Sequence, residues 1–268
     1  MPTRRIGLIG LGAIGGAVAE AWAEQSLPED RLCAILARPG QLGRATDPAT
    51  LVTACADAFL DHRLDVVIEA AGHAAVAEHG EQVLARGCDL HVLSVGALAD
   101  DALRARLAAA AARGGSRVVV PAGALAGFDG LASLRLAGLE SVTYTSVKPV
   151  AAWRGTAADT DGRLDGLSAA DVIFEGSARA AARAFPRNAN LAAAVALAGA
   201  GFDETYVVLI ADPSATANTG RIRAVSKLGR LELSLASDAF DGNPKSSRIT
   251  AMSAIAALRS SGGWLGFA

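Results

Sequence analysis

The chain has 268 residues, 51% of them hydrophobic and 4% aromatic, enough for one large domain or two modest domains with a substantial core. Its 25 basic and 27 acidic residues nearly balance, which argues against a nucleic-acid partner. The three cysteines form no CxxC pair and do not cluster with histidines, so no metal site is expected. Apolar stretches end well short of the roughly 20 residues of a membrane span. We therefore expect a soluble, cytoplasmic protein.

The first part of the chain alternates short apolar runs with Ala-rich stretches of helical spacing. Such alternation is typical of βαβ units, whose strands are buried on both faces. It predicts a doubly wound parallel sheet of the Rossmann type, an α/β fold. The predicted strands are RIGLI (5–9), LCAIL (32–36), DVVI (65–68), DLHVLSV (89–95) and RVVV (117–120), with helices after Gly16 and around 74–86 and 101–113.

The pattern changes after Pro121 to β-branched runs and period-two alternation, which indicate antiparallel strands. Helical stretches interrupt these runs, so we predict a second, α+β domain. We place a dinucleotide-binding domain at 1–121, completed by the C-terminal helical segment 243–268, and a substrate, catalytic and dimerisation domain at 122–242. The predicted strands are 141–147, 205–211, 222–226 and 230–235, and the predicted helices are 178–184, 189–200 and 249–259.

A GxGxxG motif, Gly10-Leu11-Gly12-Ala13-Ile14-Gly15, directly follows the first strand and precedes the first helix. In this context Gly10 permits a tight turn, Gly12 lets the backbone approach a pyrophosphate, and Gly15 lets the helix pack closely. The first helical residues, Ala13 and Ile14, offer free N–H groups and the positive end of the helix dipole. The motif predicts a site for a nicotinamide dinucleotide.

The residues after the second strand bear on which nicotinamide cofactor binds. NAD sites commonly carry an acidic residue there for the ribose hydroxyls, but this chain reads Ala37-Arg38-Pro39-Gly40. The guanidinium of Arg38 can instead pair with a 2′-phosphate through charge-assisted hydrogen bonds. A solvated surface arginine is the alternative. We favour NADP over NAD, or use of both.

Several later segments resemble the L-aspartate dehydrogenase family, nearly from end to end. The resemblance implies a Rossmann domain, an α+β catalytic and dimerisation domain, a homodimer, and reversible NAD(P)-dependent deamination of aspartate to oxaloacetate and ammonia. The matching segments are EAAGHAAVAEHG (69–80), LSVGALAD (93–100), PAGALAGFDGL (121–131), VKPVAAWRGT (147–156), EGSARAAARAFPRNANLAAAVALAG (175–199), ADPSATAN (211–218) and GNPKSS (242–247).

The resemblance also implies site residues in the second domain. Ala124 and Asn190 would contact the nicotinamide end of the cofactor, although Asn190 also suits a helix N-cap. Lys148 and Arg154 are further cations for a dicarboxylate or amino-acid substrate, or ordinary surface charges, and Lys148 is the stronger candidate. The GNPKSS segment offers a cluster suited to carboxylate recognition, or a plain turn before the last helix: Asn243, Lys245, Ser246 and Ser247.

One position departs from the family pattern. The family has a catalytic histidine in a pattern like N-x-H-x-I, whereas this chain reads Asn218-Thr219-Gly220-Arg221-Ile222. Gly220 has no acid–base capacity, and the four histidines all lie in the first half of the chain. His73 follows the EAAG strand on the expected cofactor side, where an ordinary loop histidine is the favoured interpretation.

Four interpretations stay open. The protein is an aspartate dehydrogenase whose base is supplied by Lys148, Thr219, Arg221 or a water beside Gly220, with imine hydrolysis impaired to some degree. It is instead an amine or imine oxidoreductase of the same fold with another substrate, including one that releases or reduces iminosuccinate unhydrolysed. A third interpretation is a non-catalytic NADP-binding homologue. A fourth is an engineered inactive variant.

Overall fold

The computed structural model describes residues 3–25, 30–43, 47–160 and 162–262. These residues form two compact units. The first unit holds the described residues up to Pro121 together with those from Thr250 onward, and the second is Ala122–Ile249. In the described residues, no helix is long and apolar enough to cross a membrane.

The first unit is built on a six-stranded sheet whose paired strands are all parallel, in the order β3-β2-β1-β4-β5-β6. This is the strand order of dinucleotide-binding folds, so the predicted α/β class is confirmed. The elements are β1 (Arg4–Ile9), α1 (Ala13–Gln25), β2 (Asp30–Leu36), β3 (Leu51–Thr53), α2 (Ala56–Leu60), β4 (Val66–Glu69), α3 (His73–Ala85), β5 (Asp89–Val92), α4 (Asp101–Gly114) and β6 (Val118–Val119), with 3₁₀ turns at Pro39–Gln41 and Val95–Ala99.

The second unit contains a five-stranded mixed sheet in the order β11-β10-β7-β9-β8 and a short hairpin, β12-β13. Strands β7 and β9 pair in parallel, whereas the other neighbours are antiparallel. The elements are α5 (Phe128–Leu136), β7 (Leu139–Lys148), β8 (Asp171–Ser177), α6 (Ala178–Ala184), α7 (Asn190–Ala198), β9 (Thr205–Ala211), β10 (Asn218–Ser226), β11 (Gly229–Ser237), β12 (Ala239–Phe240) and β13 (Asn243–Ser247), with a 3₁₀ turn at Val150–Trp153.

The C-terminal helix, α8, spans Ile249–Gly262 and agrees with the helix predicted over 249–259, whereas the domain boundary expected at 243 falls within the second unit. Residues Asn243–Ser247 are instead strand β13, which pairs with β12. Gly242 has a φ of +74° and closes the hairpin between them. Glycine readily adopts this left-handed conformation, and the Asn-Pro that follows it favours a turn, so the helix begins only after β13.

The guanidinium of Arg4 ties strand β2 and helix α8 to the first strand. Its Nε and Nη2 atoms donate to the two carboxylate oxygens of Asp30, each at 2.6 Å. The same guanidinium donates to the carbonyl of Leu258 at 2.8 Å and to the hydroxyl of Ser261 at 2.9 Å. The Asp30 side chain is only 5% exposed, so this fork-shaped pair is a largely desolvated ion pair.

The Arg4→Met substitution is expected to lower the free energy of unfolding by about 2–4 kcal/mol, because it leaves the buried Asp30 carboxylate without its cation. Urea denaturation measures the change. The matched control is Arg117→Met, which removes an exposed pair with Asp89 and is expected to cost less than about 1 kcal/mol. Equal losses in the two variants would show that the Arg4 pair has no special structural role.

Candidate functional site

The glycine turn fits a dinucleotide pyrophosphate. Gly10 has a φ of +99°, and a Cβ there would lie 2.8 Å from the Cβ of Ala71. A Cβ on Gly15 would lie 2.0 Å from the carbonyl oxygen of Gly10, so only glycine allows α1 to pack this closely on the turn. A Cβ on Gly12 would meet no atom within 4 Å, which leaves its backbone open to an approaching ligand.

The free N–H groups at the start of α1 complete this cradle. Ala13 and Ile14 are the first two residues of the helix, and their N–H groups have no partner within it. Together with the open backbone at Gly12, they offer hydrogen-bond donors and the positive end of the helix dipole to phosphate oxygens. The residues present therefore fit the cofactor that the sequence motif predicts.

The segment after β2 lies beside the glycine turn. The N–H of Gly10 donates to the carbonyl of Leu36 at 2.8 Å, and the amide of Gln41 donates to the carbonyl of Leu11 at 2.8 Å. Arg38 is exposed and stands two residues past the end of β2, within this segment. Gln41 was not predicted as a site residue, because its contact with the turn is not visible in the sequence.

Ala124 and Asn190 occupy neighbouring parts of the second unit. Ala124 is buried in the turn before α5, next to Gly123, where a Cβ would lie 3.0 Å from Leu191 Cδ2. Leu191 directly follows Asn190, which is the first residue of α7. The residue at the N-cap is Ala189, so the expectation that Asn190 caps the helix is wrong by one position.

One face of the mixed sheet carries the candidate acid–base groups. Side chains alternate along β7, so Tyr144, Ser146 and Lys148 share a face, and all three are buried. The register pairs Gly220 of β10 with Ser146. Asn218 lies two residues before Gly220 and therefore belongs to the same face.

The position beside Gly220 is filled. A Cβ there would lie 3.0 Å from Leu125 Cδ1 and 3.4 Å from both the ring and the hydroxyl oxygen of Tyr144. Tyr144 is 1% exposed, and burial raises the pKa of its phenol far above the usual range, so it is a poor base. A side chain at position 220 would therefore be in close contact with Leu125 and Tyr144 from its first atom, which argues against a water at that point.

Thr219 and Arg221 point to the opposite face of the sheet. They alternate with Asn218, Gly220 and Ile222, which are buried, whereas Arg221 is exposed. Arg221 lines an open hollow on that other face, together with Thr143 and Thr145. Neither Thr219 nor Arg221 can therefore present a base at the position of Gly220.

Lys148 is the remaining candidate base on the buried face. Its Nζ donates to the carbonyl of Lys245 at 3.1 Å and lies 5.7 Å from the centre of the Trp153 ring. Lys148 is 7% exposed, and burial lowers the pKa of its ammonium group to about 8. A substantial fraction of this amine is thus neutral near physiological pH and able to accept a proton.

The GNPKSS segment lies over these polar groups as strand β13. The amide of Asn218 donates to the carbonyl of Pro244 at 3.2 Å and to the hydroxyl of Ser247 at 3.3 Å, while its buried Oδ1 has no partner among the described residues. Within the segment, the amide of Asn243 donates to Ser246 Oγ at 3.3 Å. The structure therefore brings strand β13 against Lys148 and Asn218, through the backbone carbonyls of Pro244 and Lys245 and the hydroxyl of Ser247.

Arg154 is placed differently from Lys148. Its exposed guanidinium forms ion pairs with Asp159 at 3.0 Å and Asp165 at 2.6 Å. These hydrogen bonds raise the pKa of Arg154, so its charge is fixed and already balanced by two carboxylates. The arrangement argues against Arg154 as a cation for substrate.

A polar group that sequence reasoning missed lies at the carboxyl edge of the first unit's sheet. Glu69 ends β4, is fully buried, and accepts hydrogen bonds from Ala71, Gly72 and Ser94. The signal available in the sequence was an acidic residue that directly ends an apolar strand and is followed by Ala-Ala-Gly. His73 is the first residue of the next helix, α3.

A parallel sheet with this glycine turn, followed in the chain by an α+β unit that carries a buried amine, defines a nicotinamide-nucleotide-dependent oxidoreductase. Two family profiles match the chain. They are described as "Homoserine dehydrogenase, NAD binding domain", over residues 10–121, and "Aspartate dehydrogenase, C-terminal", over residues 129–261.

Similar proteins agree with these profiles. The L-aspartate dehydrogenase of Cupriavidus necator is 41% identical over 256 residues, covering 94% of this chain and 96% of that protein. L-aspartate dehydrogenase 2 of Bordetella pertussis is 42% identical, covering 96% of each chain. The crystal structure of aspartate dehydrogenase from Thermotoga maritima superposes with a TM-score of 0.74 at 26% identity, covering 99% of both chains. The chain belongs to the aspartate dehydrogenase family, and it is an NAD(P)-binding oxidoreductase of the amino-acid dehydrogenase type.

The Gly220→His substitution is expected to lower the free energy of unfolding by about 1–3 kcal/mol, because the imidazole must displace Leu125 and Tyr144 from a filled position. Thermal and urea denaturation measure the loss. Gly220→Ala is the matched control and should cost less, since its Cβ needs only the flexible end of Leu125 to move. In the double variant Gly220→His with Leu125→Ala, the loss in free energy of unfolding should be smaller than the sum of the losses in the two single variants. A Gly220→His protein as stable as the unmodified one would contradict this description of the position.

Proposed function

We propose that this protein catalyses the reversible oxidative deamination of L-aspartate, with NAD(P)+ and water, to oxaloacetate, ammonia and NAD(P)H by way of iminosuccinate. Relatives named L-aspartate dehydrogenase match nearly the whole chain. The observation that carries the proposal is the buried Lys148 amine, whose pKa is lowered to about 8 and which lies directly under the GNPKSS strand. It supplies an acid–base group to a chain that has glycine where the family pattern has histidine.

The reaction has two parts that place different demands on the protein. A bound nicotinamide cofactor would supply hydride-transfer chemistry at the α-carbon of the substrate, and the protein's contribution to that part is mainly alignment. Water then adds to the imine carbon, and this step requires a base that takes a proton from the water. Neutral Lys148 takes that proton, and its ammonium form returns one to the departing nitrogen.

The substrate carboxylates are held by β13 in this proposal. Lys245 supplies a cation, and the hydroxyl of Ser246 and the amide of Asn243 supply hydrogen-bond donors. Lys148, once protonated, adds a second positive charge below the strand. A dicarboxylate with one amino group matches this set in charge, and support comes from the contacts that already join Lys148 and Asn218 to the strand.

A second candidate function is favoured by Gly220 and its filled surroundings. A protein without the family's histidine can transfer the hydride and release iminosuccinate before water is added. In that case, aspartate would drive the formation of NAD(P)H while ammonia and oxaloacetate appear later, at the rate of hydrolysis in free solution. Following NAD(P)H and ammonia in the same assay separates the two functions.

The Lys148→Met substitution is expected to lower kcat for aspartate deamination roughly 10²- to 10⁴-fold, because it removes the base for water addition. In the unmodified protein, kcat should rise with pH through a midpoint near 8, since only the neutral amine accepts a proton and it accumulates above that pH. Steady-state kinetics between pH 6 and 10 measure both effects (the pH range being chosen to bracket the midpoint).

The controls for this prediction are Lys148→Arg and Lys227→Met. Lys148→Arg keeps a positive charge but gives no base in this range, so it should be as inactive as Lys148→Met. Lys227 is exposed in the turn between β10 and β11, and its replacement should leave the rate and the pH profile unchanged. Full activity of Lys148→Arg with an unaltered profile would exclude Lys148 as the base.

For the cofactor we propose NADP in preference to NAD. Arg38 supports this, since it is exposed within the segment that contacts the glycine turn and carries a guanidinium suited to a 2′-phosphate.

We also propose a cytoplasmic homodimer. Support comes from apolar residues exposed on adjacent strands of the mixed sheet, Val172 at 41% and Tyr206 at 45%.

The Arg38→Ala substitution is expected to weaken NADPH binding roughly 10- to 100-fold and to leave NADH binding nearly unchanged, because only the phosphate ester loses a charge-assisted partner. Nucleotide fluorescence titration gives both dissociation constants. Arg31→Ala is the matched control, as it removes an exposed arginine from the opposite end of β2. If NADH and NADPH lose affinity equally in Arg38→Ala, the phosphate contact is refuted.

A further inference from the structure

Glu69 is an acidic side chain with no exposed surface at the end of strand β4. Its Oε1 atom accepts hydrogen bonds from the N–H groups of Ala71 and Gly72, each at 2.7 Å, and from the hydroxyl of Ser94 at 2.9 Å. Its Oε2 atom accepts from the N–H of Ser94 at 3.1 Å. All four partners are neutral.

The geometry favours the ionised carboxylate. Burial raises the pKa of Glu69, and its hydrogen bonds to Gly72, Ala71 and Ser94 oppose that rise. Three of the four contacts come from N–H groups, which can only donate, and both oxygens face at least one of them. Among the described residues that contact this carboxyl group, only the Ser94 hydroxyl could accept a proton from it. The result is a buried negative charge stabilised by dipoles rather than by a cation.

This charge lies on one particular half of the sheet. In the strand order 3-2-1-4-5-6, a dinucleotide spans the carboxyl edge, with its pyrophosphate at the turn after β1 and its two nucleotides over the two halves of the sheet. The segment after β2, with Arg38, belongs to the adenosine half. Glu69 and Ser94 follow β4 and β5 and belong to the nicotinamide half.

Glu69 is also linked to the glycine turn itself. Ala71, whose N–H donates to the carboxylate, is the residue that a Cβ on Gly10 would strike at 2.8 Å. The carboxylate therefore fixes the loop against which the turn packs. The charge and the turn are held in one rigid arrangement.

We propose that the Glu69 carboxylate favours the oxidised form of the bound cofactor, whose nicotinamide ring carries a positive charge, over the neutral reduced form. The charge then favours hydride donation. When NAD(P)H gives up a hydride, two electrons and one hydrogen nucleus leave C4 of the ring together and form a C–H bond at the acceptor carbon. The ring is left as a cation, which the buried carboxylate stabilises. Glu69 acts through the field at the ring and is a specificity-determining residue for the redox state of the cofactor.

Direct binding to the full chain, without substrate, tests the proposal. Glu69→Gln removes the charge and keeps the size of the side chain. We expect the ratio of the dissociation constant of the oxidised cofactor to that of the reduced cofactor to rise about tenfold, the order of effect that one unit charge exerts on another through a protein interior. Titration calorimetry with NAD+ and NADH, repeated with the NADP pair, gives the ratio.

The matched control is Ser94→Ala, which removes one hydrogen bond from the carboxylate and keeps its charge. A loss of affinity caused only by a loosened loop should affect both redox forms alike in Ser94→Ala. An unchanged ratio in Glu69→Gln, or an equal rise of the ratio in Ser94→Ala, would overturn the proposal.

Glu69→Gln is at risk of misfolding, because the amide group would face N–H donors. The unmodified protein then carries the test, since it should bind NAD(P)+ at least as tightly as NAD(P)H. A preference of more than tenfold for the reduced form would refute the role of the charge. None of these measurements involves aspartate or turnover, so their failure is distinguishable from a failure of the proposed activity.

Discussion

Each unit buries an ionisable side chain, Glu69 or Lys148, that forms no ion pair with another described residue, and this burial constrains the structure around it. Removing a charge from water costs several kcal/mol unless the protein supplies polar groups in its place. Glu69 receives four donors from two loops, and Lys148 receives one carbonyl and the face of an indole ring. Each of these two residues is the last residue of a strand, and backbone groups from the neighbouring segments contact its side chain.

The two groups are stabilised in opposite ways, with different chemical results. The carboxylate of Glu69 is surrounded by donors that favour its charged form, which suits a fixed field that does not change during turnover. The Lys148 ammonium has few acceptors and is destabilised relative to the neutral amine, so its pKa falls into the range of proton transfer. Permanent charge suits the cofactor, and titratable charge suits a substrate that exchanges protons.

Local patterns in the sequence predicted most of the fold. The strands of the first unit are buried on both faces, so they read as short apolar runs, and all the predicted ones are present. The short elements α2, β3, β12 and β13 were not predictable from local pattern. Neither was α5, whose sequence FDGLASLRL contains glycine and serine and has only Leu131 fully buried. The same holds for β8 (DVIFEGS), whose apolar and polar residues do not alternate regularly. These elements form because of their neighbours rather than because of their own sequence.

In the candidate site, too, features set by consecutive residues were predictable from the sequence, and contacts between distant residues were not. The glycine turn was predictable because all its determinants lie within six consecutive residues. The contacts of Glu69 with Ser94, of Gln41 with Leu11 and of Asn218 with Ser247 join residues that are 25, 30 and 29 positions apart, and no single-sequence pattern carries them. The filled position beside Gly220 was invisible for the same reason, since it depends on Leu125 and Tyr144 from other elements.

The surroundings of Gly220 also explain why glycine suits this position. Even a methyl group would press on Leu125, and a larger side chain would press on the ring of Tyr144. Tyr144 is itself buried on the inner face of β7. An acid–base group in this unit must therefore come from another position on the same face. Lys148 meets that requirement, because it lies on the adjacent strand, two residues beyond the partner of Gly220, and burial lowers its pKa. The glycine at position 220 and the buried amine of Lys148 thus belong to the same packed face of the mixed sheet.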